Sequence, residues 1–218
     1  IIQDTGLIFL IKKYLPKLQL HASTQMTVNN GQGALYLKQN GLTRIVLSRE
    51  LSLPEITHIS KDLEIETEIF IHGALCICYS GQCLMSSLIG GRSGNRGRCA
   101  QPCRLPYELY NEDKSFKGYI LSPKDMCTID NLEEIIGSGV ASLKIEGRMK
   151  RAEYVAGVTS SYKKAIDLIK VKDSGNEIKA LKSTVAQLFN REGFSKGFMF
   201  GSTGRDMMAY NFPSNTGI

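Results

Sequence analysis

Short apolar strands alternate with helices along the first 170 residues, and this alternation most constrains the fold. The strand Arg44–Leu47 precedes a helix over Leu53–Lys61, which precedes the strand Ile65–Ile71. The pattern recurs every ~25–30 residues, the length of one βα unit in an eight-unit barrel. Such alternation forms a parallel sheet through right-handed crossovers. We therefore predict an α/β fold, the carboxyl-terminal part of a (β/α)8 TIM-type barrel with about five βα units. An open doubly wound sheet is the alternative.

Polar residues follow the predicted strands at their carboxyl ends. In a parallel barrel these ends meet on one face, and that face carries the active site. The residues so placed are Asp4, His21, Gln25, Arg49, Glu50, His72, Lys124, Asp125, Lys144, Glu146 and Arg148. Lys144, Glu146 and Arg148 alternate along one strand end, so their side chains point the same way. This trio is either a substrate-binding group or a structural ion pair at the barrel mouth.

Cysteines concentrate in one segment, Glu68–Cys103. It contains five of the six cysteines in the chain, and the sixth is Cys127. A loop rich in glycine and arginine, Gly90–Arg98, lies within the segment, and glycines allow a chain to wrap closely around a small group. Thiolates are ligands for zinc and for iron–sulfur clusters. We expect a metal or cluster site here, with buried free cysteines or disulfides as the alternatives.

This segment resembles the signature of the collagenase-like peptidases of unknown catalytic type, the peptidase U family numbered thirty-two. The matching residues are Glu68, Phe70, Gly73, Ala74, Leu75, Cys76, Gly81, Cys83, Met85 and Ser86. The downstream segments GRCAQPCRLPYEL, YILSPKDMC and SLKIEGRMKRAEYVAGV are similar to the family as well, so the resemblance extends over nearly the whole chain.

The resemblance implies a cofactor, because some family members hold a four-iron four-sulfur (4Fe-4S) cluster on four cysteines. Carried over by position, the ligands would be Cys76, Cys83, Cys99 and Cys127, with Cys103 as the substitute. Cys78 lies outside the signature, and we interpret it as a packing residue.

The resemblance also implies an activity, the hydroxylation of a pyrimidine in RNA. The chain looks most like the branch that modifies the wobble uridine of transfer RNA and depends on prephenate. For this reaction we predict His72, Lys144 and Glu146 as catalytic residues. The predicted substrate-binding residues are His21, Gln25, Arg92, Arg96, Arg98, Arg104 and Arg148. The arginines match phosphate in bidentate fashion, although a solvated loop has the same composition.

Two other functions are compatible with the same resemblance. One is proteolysis, as the family name suggests, and the other is a cluster-bearing partner protein in quinone biosynthesis. The sequence has no HExxH and no GxSxG motif. Cys76 and His72 are close in sequence, so a thiolate–histidine pair for proteolysis stays open.

Charge and hydropathy narrow the class of partner. The net charge of +6 and the pI of about 9.0 suit an anionic partner such as RNA. No apolar run is long enough to span a bilayer, and the amino terminus does not resemble a signal peptide. We therefore expect a cytoplasmic protein without a membrane partner. A partner subunit is compatible with the sequence.

We predict two regions. Residues 1–170 would form the partial barrel, with the cysteine-rich segment 72–127 inserted after one strand. Residues 171–218 would form a linker, a helix and a tail that lead towards a further domain. Because too few βα units are visible to close eight strands, we expect a fragment that is poorly soluble without its missing strands.

Overall fold

A computed structural model describes residues 1–111, 114–170 and 174–211. The strands are β1 (His21–Ala22), β2 (Arg44–Val46), β3 (Thr67–Ala74), β4 (Tyr107–Asn111), β5 (Lys114–Gly118), β6 (Asp125–Cys127), β7 (Ser142–Ile145) and β8 (Phe194–Ser195). The helices are α1 (Thr5–Tyr14), α2 (Gly31–Gln39), α3 (Leu53–Thr57), α4 (Met85–Gly90), α5 (Leu132–Gly137), α6 (Ala152–Leu168) and α7 (Gly175–Leu188). One π-helical turn, His58–Asp62, continues α3.

The main sheet is parallel through most of its width. Ile2 forms a parallel bridge with Ala22, and β1, β2, β3 and β7 then follow as parallel neighbours in chain order. These strands therefore lie side by side in the order in which they occur along the chain. The predicted α/β class with a parallel sheet is confirmed, and closure into an eight-stranded barrel stays a prediction.

Local capping explains where the helices begin. Asp4 accepts a hydrogen bond from the Leu7 amide at 2.7 Å, and Asn30 accepts one from the Gly33 amide at 2.8 Å. These side chains satisfy amide groups that have no partner within the helix. As a result, α2 begins at Gly31, directly after its capping residue Asn30.

Strand β6 departs from the parallel pattern. The register of β3 shifts between Phe70 and His72, and beyond this shift β6 pairs antiparallel with β3. Strand β8 then pairs with β6. Strands β4 and β5 form a separate two-stranded antiparallel sheet, in which Gly118 pairs with Tyr107.

The core lies between the main sheet and its covering helices. Strand residues Ile45, Ile69 and Ile71 are almost fully buried, as are the helical residues Ile56 and Val158. The described part of the predicted second region joins this core, because Val185, Met199 and Phe194 pack against it. The division at residue 170 stays a prediction, and 171–173 and 212–218 lie outside the described residues. Within the described chain, no helix is both long and apolar enough to cross a membrane.

Candidate active site

A cavity of about 260 Å³ opens at the carboxyl ends of the parallel strands. Gln25 reaches it from the segment after β1, Arg49 from the segment after β2, and Cys76 from the segment after β3. Glu146 and Arg148 reach it from the segment after β7. The polar residues that follow four different strands therefore meet at one place, as expected where parallel strands end together.

Four cysteines line this cavity. They are Cys76, Cys83, Cys99 and Cys103. All six cysteines of the chain are free thiols. Burial raises the pKa of Cys76 and of Cys103, and nearby arginines, Arg49 and Arg104 respectively, oppose that rise. Cys78 interacts with Cys83 but does not line the cavity.

Cys127 lies elsewhere, in the core. It is 1% exposed, and the Tyr162 hydroxyl lies 3.8 Å from its sulfur. Strand β6 runs antiparallel to β3, so its first residue, Asp125, pairs with Ala74 at the end of β3. Its last residue, Cys127, pairs with His72, and the carboxyl end of β6 therefore points into the core. The structure thus groups Cys103, the predicted substitute, with the other three predicted ligands.

The thiols of the cavity are side chains of the type that zinc and iron–sulfur clusters take. Within the described ranges, no group of three or more histidine, cysteine or acidic side chains is tight enough to hold one metal ion. A four-iron cluster takes one thiolate on each iron, so its ligands stand further apart than those around one ion. Four thiols line one cavity, which is the number of thiolates that such a cluster takes.

The cavity wall is strongly cationic. Its charged groups are the cations Arg49, Arg104, Lys144, Arg148 and Lys150 and the anion Glu146. Arg49 lies over the Phe70 ring, 3.8 Å from its centroid, and 3.7 Å from the Glu146 carboxylate. Lys144 pairs with Glu68 at 2.8 Å rather than with its strand-end neighbour Glu146. Such an excess of positive charge suits an anionic ligand.

The predicted arginine group divides into two. The Arg104 guanidinium is directed inward, where it donates to the Leu75 and Pro123 carbonyl oxygens and to Ser122. Arg92, Arg96 and Arg98 are exposed on the loop beyond the cavity. Arg104 therefore holds the cysteine segment in place, whereas the other three arginines of the group are exposed to solvent.

Comparison with known proteins identifies the family to which the chain belongs. The model of peptidase family U32 matches residues 1–209. The chain belongs to peptidase family U32. No solved structure matches the chain.

The U32 relatives carry names of two kinds. The chain is 41% identical to tRNA hydroxylation protein P1 of Bacillus subtilis, over 77% of this chain and 42% of that protein. It is 37% identical to a 23S rRNA 5-hydroxycytidine synthase of Escherichia coli, over 100% of this chain and 34% of that protein. It is also 34% identical to a collagenase of Porphyromonas gingivalis, over 84% of this chain and 48% of that protein. The chain thus spans about a third to a half of these relatives.

A signature glycine of the U32 family fixes the approach of β7 to the cysteine segment. Gly73 has a φ of +105°, and a Cβ atom there would overlap the carbonyl oxygen of Glu146. Only glycine combines that backbone conformation with such a close approach. Gly73 therefore lets the backbone at Glu146 pack directly against the end of β3.

The two predicted histidines do not line the cavity. His72 is 1% exposed, and its Nδ1 lies 3.3 Å from the Tyr162 hydroxyl. Strand β3 continues two residues beyond His72, to Ala74, so His72 lies below the strand end. His21 is half-buried in β1 and pairs with Arg44. Cys76 lines the cavity, and neither histidine does.

His72 makes stability depend on pH. Burial lowers its pKa from 6.5 to about 4, and the charge of Lys150 adds to the effect. The unfolded chain then binds the proton more tightly than the folded chain does. The contribution of His72 to the unfolding free energy is therefore fully present above pH 6.5 and is lost as pH drops towards 4. We expect an unfolding free energy about 2 kcal/mol lower at pH 5 than at pH 7 from this residue.

Denaturant titrations at the two pH values measure this contribution. His72→Phe should reduce the difference between pH 5 and pH 7, whereas His58→Gln, an exposed control, should not. An unchanged difference in His72→Phe would show that other groups cause the pH dependence.

Sequence reasoning missed Lys150 and Arg191. Lys150 lines the cavity, and Arg191 forms a buried ion pair with Asp125. The alternation of Lys144, Glu146 and Arg148 could have been continued to Lys150. Nothing in the sequence signals that Arg191, 66 residues after Asp125, is its partner.

Proposed function

We propose that this chain forms the catalytic cavity of an enzyme that hydroxylates a pyrimidine in RNA. One observation carries the proposal: four cysteines and a cationic wall meet in a single cavity at the carboxyl ends of parallel strands. Two U32 relatives have names that refer to RNA hydroxylation, one on tRNA and one on 23S rRNA. We propose tRNA and its wobble uridine as the substrate, and prephenate as a required small molecule.

Cys76, Cys83, Cys99 and Cys103 would hold a four-iron four-sulfur cluster. When bound there, the cluster would supply one-electron redox chemistry. The cations Arg49 and Arg104 favour the thiolate forms that such binding requires, because they oppose the effect of burial on the pKa of Cys76 and Cys103.

The other cavity residues would position the base. Enzymes that modify a base take it out of the stack and bind it in a pocket. The Gln25 amide lines the cavity, and its buried Oε1 lacks a hydrogen-bond partner among the described residues. An unpaired amide oxygen matches an N–H group on the edge of a pyrimidine. Tyr79 lies at the mouth with 63% of its surface exposed, where its ring can stack on a base.

Proteolysis is the second candidate, because one U32 relative is named a collagenase. It requires an activated nucleophile, and a cysteine nucleophile requires a base within hydrogen-bond reach. His72 has its Nδ1 beside Tyr162 and lies below the cavity. The geometry therefore favours RNA hydroxylation.

The exposed arginines are expected to bind RNA phosphates. Replacing Arg92, Arg96 and Arg98 together with glutamine should weaken RNA binding, because each phosphate contact releases counterions. The slope of log affinity against log salt should fall in magnitude by about 2, at roughly 0.7 for each lost contact on single-stranded RNA. Binding isotherms at several salt concentrations measure the slope. Lys163→Gln, on the exposed face of α6, is the control. An unchanged slope in the triple variant would exclude this loop as a phosphate site.

Nucleoside analysis tests the function. The protein is expressed in a host that lacks its own RNA-hydroxylating relatives, and digested tRNA and rRNA are analysed by mass spectrometry. We expect a 5-hydroxylated pyrimidine that is absent with the empty vector. Cleavage of gelatin by the purified protein, without any hydroxylated nucleoside, would support the peptidase instead.

A further inference from the structure

The turn Tyr79–Gln82 comes directly before Cys83 in the cysteine segment. It belongs to no helix or strand, and the Gln82 amide donates to the Tyr79 carbonyl oxygen at 3.1 Å. Ser80 in this turn is nonetheless only 2% exposed. A short turn is buried in this way only where other parts of the chain hold it. The contacts of the turn therefore indicate what keeps Cys83 at the cavity.

Thr27, in the segment after β1, holds one side of the turn. Its hydroxyl group donates to the Ser80 carbonyl oxygen at 2.7 Å and accepts from the Gln82 side-chain amide at 2.8 Å. Thr27 has a φ of +55°, a rare conformation for a β-branched residue. Such backbone conformations persist only where the surrounding contacts hold them. The two hydrogen bonds to the turn are contacts of that kind.

Glu50, in the segment after β2, holds the other side of the turn. Its Oε1 accepts from the Ser80 amide at 2.9 Å and from the Ser80 hydroxyl at 3.2 Å. Hydrogen bonds to a charged group are stronger than those between neutral groups. Glu50 is one of the polar residues predicted at the strand ends, but it does not line the cavity and binds the turn instead.

Gly81 lets the turn lie directly on the segment after β1. A Cβ atom at this position would lie 2.6 Å from the Gln25 carbonyl oxygen and 2.7 Å from the Thr27 hydroxyl. Its φ of +78° is likewise a conformation that glycine adopts readily. Gln25 and Cys83 both line the cavity. The turn therefore joins the part of the wall that carries Cys83 to the part that carries Gln25.

We propose that Thr27 and Glu50 are positioning residues that hold Cys83 at the cavity as an iron ligand. The clamp, formed by Thr27, Glu50 and Ser80, joins the turn to two strand-end segments and so fixes it relative to the sheet. When the turn opens, Cys83 leaves the cavity and a chelator can take the iron. The role as an iron ligand rests on the proposed function, whereas the contacts of the clamp do not.

Amide hydrogen exchange tests the clamp without reference to iron. Glu50→Ala removes the acceptor of the Ser80 amide, and Thr27→Val removes the hydroxyl group but keeps the shape of the side chain. We expect exchange at Ser80 to be about fivefold to tenfold faster in each variant, because losing a hydrogen bond makes local opening that much more frequent. Glu50→Gln and Thr27→Ser retain the acceptor and the hydroxyl group, so they should restore slow exchange. Mass spectrometry of the peptide that contains Ser80 measures the rate.

Iron release to an excess of chelator tests the function of the clamp. We expect release about fivefold or more faster in Thr27→Val and Glu50→Ala, and the original rate in Thr27→Ser. Thr43→Val is the matched control. The Thr43 hydroxyl donates to the Leu20 carbonyl oxygen at 3.1 Å, and these residues precede β2 and β1, at the end of the sheet opposite the cavity. This variant loses a similar hydrogen bond but should release iron at the original rate.

The possible results separate the clamp from the cluster. Unchanged exchange at Ser80 in both Thr27→Val and Glu50→Ala would overturn the proposal, whether or not the protein holds iron. Faster exchange with unchanged iron release would show that the clamp does not position an iron ligand. Equally fast release in Thr43→Val would assign the effect to lower global stability. An unaltered protein without iron would overturn the proposed cluster, while exchange at Ser80 would still decide on the clamp.

Discussion

Replacing Cys103 with serine is expected to abolish RNA hydroxylation, reducing the hydroxylated nucleoside to the level of the empty vector. Cys103 lines the cavity with Cys76, Cys83 and Cys99, and a cluster ligated by four cysteines loses one iron ligand in this variant. Serine preserves the size of the side chain, so the fold should persist. Nucleoside mass spectrometry and the iron content of the purified protein measure the effect.

Cys127→Ala is the matched control. Cys127 is buried beside Tyr162 and does not line the cavity, so its loss should leave hydroxylation and bound iron in place. The removed sulfur should lower the unfolding free energy by about 1–2 kcal/mol, as for other small deletions in a core. The opposite result, loss of iron in Cys127→Ala and retention in Cys103→Ser, would assign the fourth ligand to Cys127.

Gly73→Ala is expected to have the largest effect on stability. The alanine Cβ would overlap the carbonyl oxygen of Glu146, and the φ of +105° is strained for any residue other than glycine. We expect a loss on the order of 3 kcal/mol or more in unfolding free energy. The change should also displace the segment Glu146–Arg148, and with it the cation Arg148, from the cavity wall, which should lower the affinity for RNA. Denaturant unfolding and RNA binding measure the two effects.

Gly90→Ala is the control for this substitution. Gly90 ends α4, and nothing lies within 4 Å of a Cβ atom built there. Alanine at this position should change the unfolding free energy by less than about 1 kcal/mol. Equal stability of the two variants would show that Gly73 does not fix the spacing between β3 and β7.

The parallel part of the fold, and the residues that meet at its end, could be predicted from the sequence. Regular alternation of strands and helices places successive carboxyl ends together, so the positions of Gln25, Arg49 and Glu146 along the chain were enough to assign them to one face. The cap at Asn30 is also a local feature of the sequence, because it joins residues only three positions apart.

The departures from the predicted site have a common cause, because they depend on tertiary pairing. Nothing in the sequence indicates that β6 runs antiparallel to β3. This direction places Cys127 in the core. The extension of β3 beyond His72 buries that residue below the cavity. Arg104 was grouped with the exposed arginines by composition, but it finds its acceptors at Leu75 and Pro123.

Cys76, Cys83, Cys99 and Cys103 line one cavity, and we propose that they hold one iron–sulfur cluster there. The ultraviolet–visible spectrum and metal content of anaerobically purified protein test it most directly. We expect a coloured protein with about four irons per chain, as a four-iron cluster on four cysteines requires, and loss of both colour and iron in Cys103→Ser. A colourless protein that binds zinc, or one that retains its iron when Cys103 is replaced, would show that these four cysteines do not ligate a four-iron cluster.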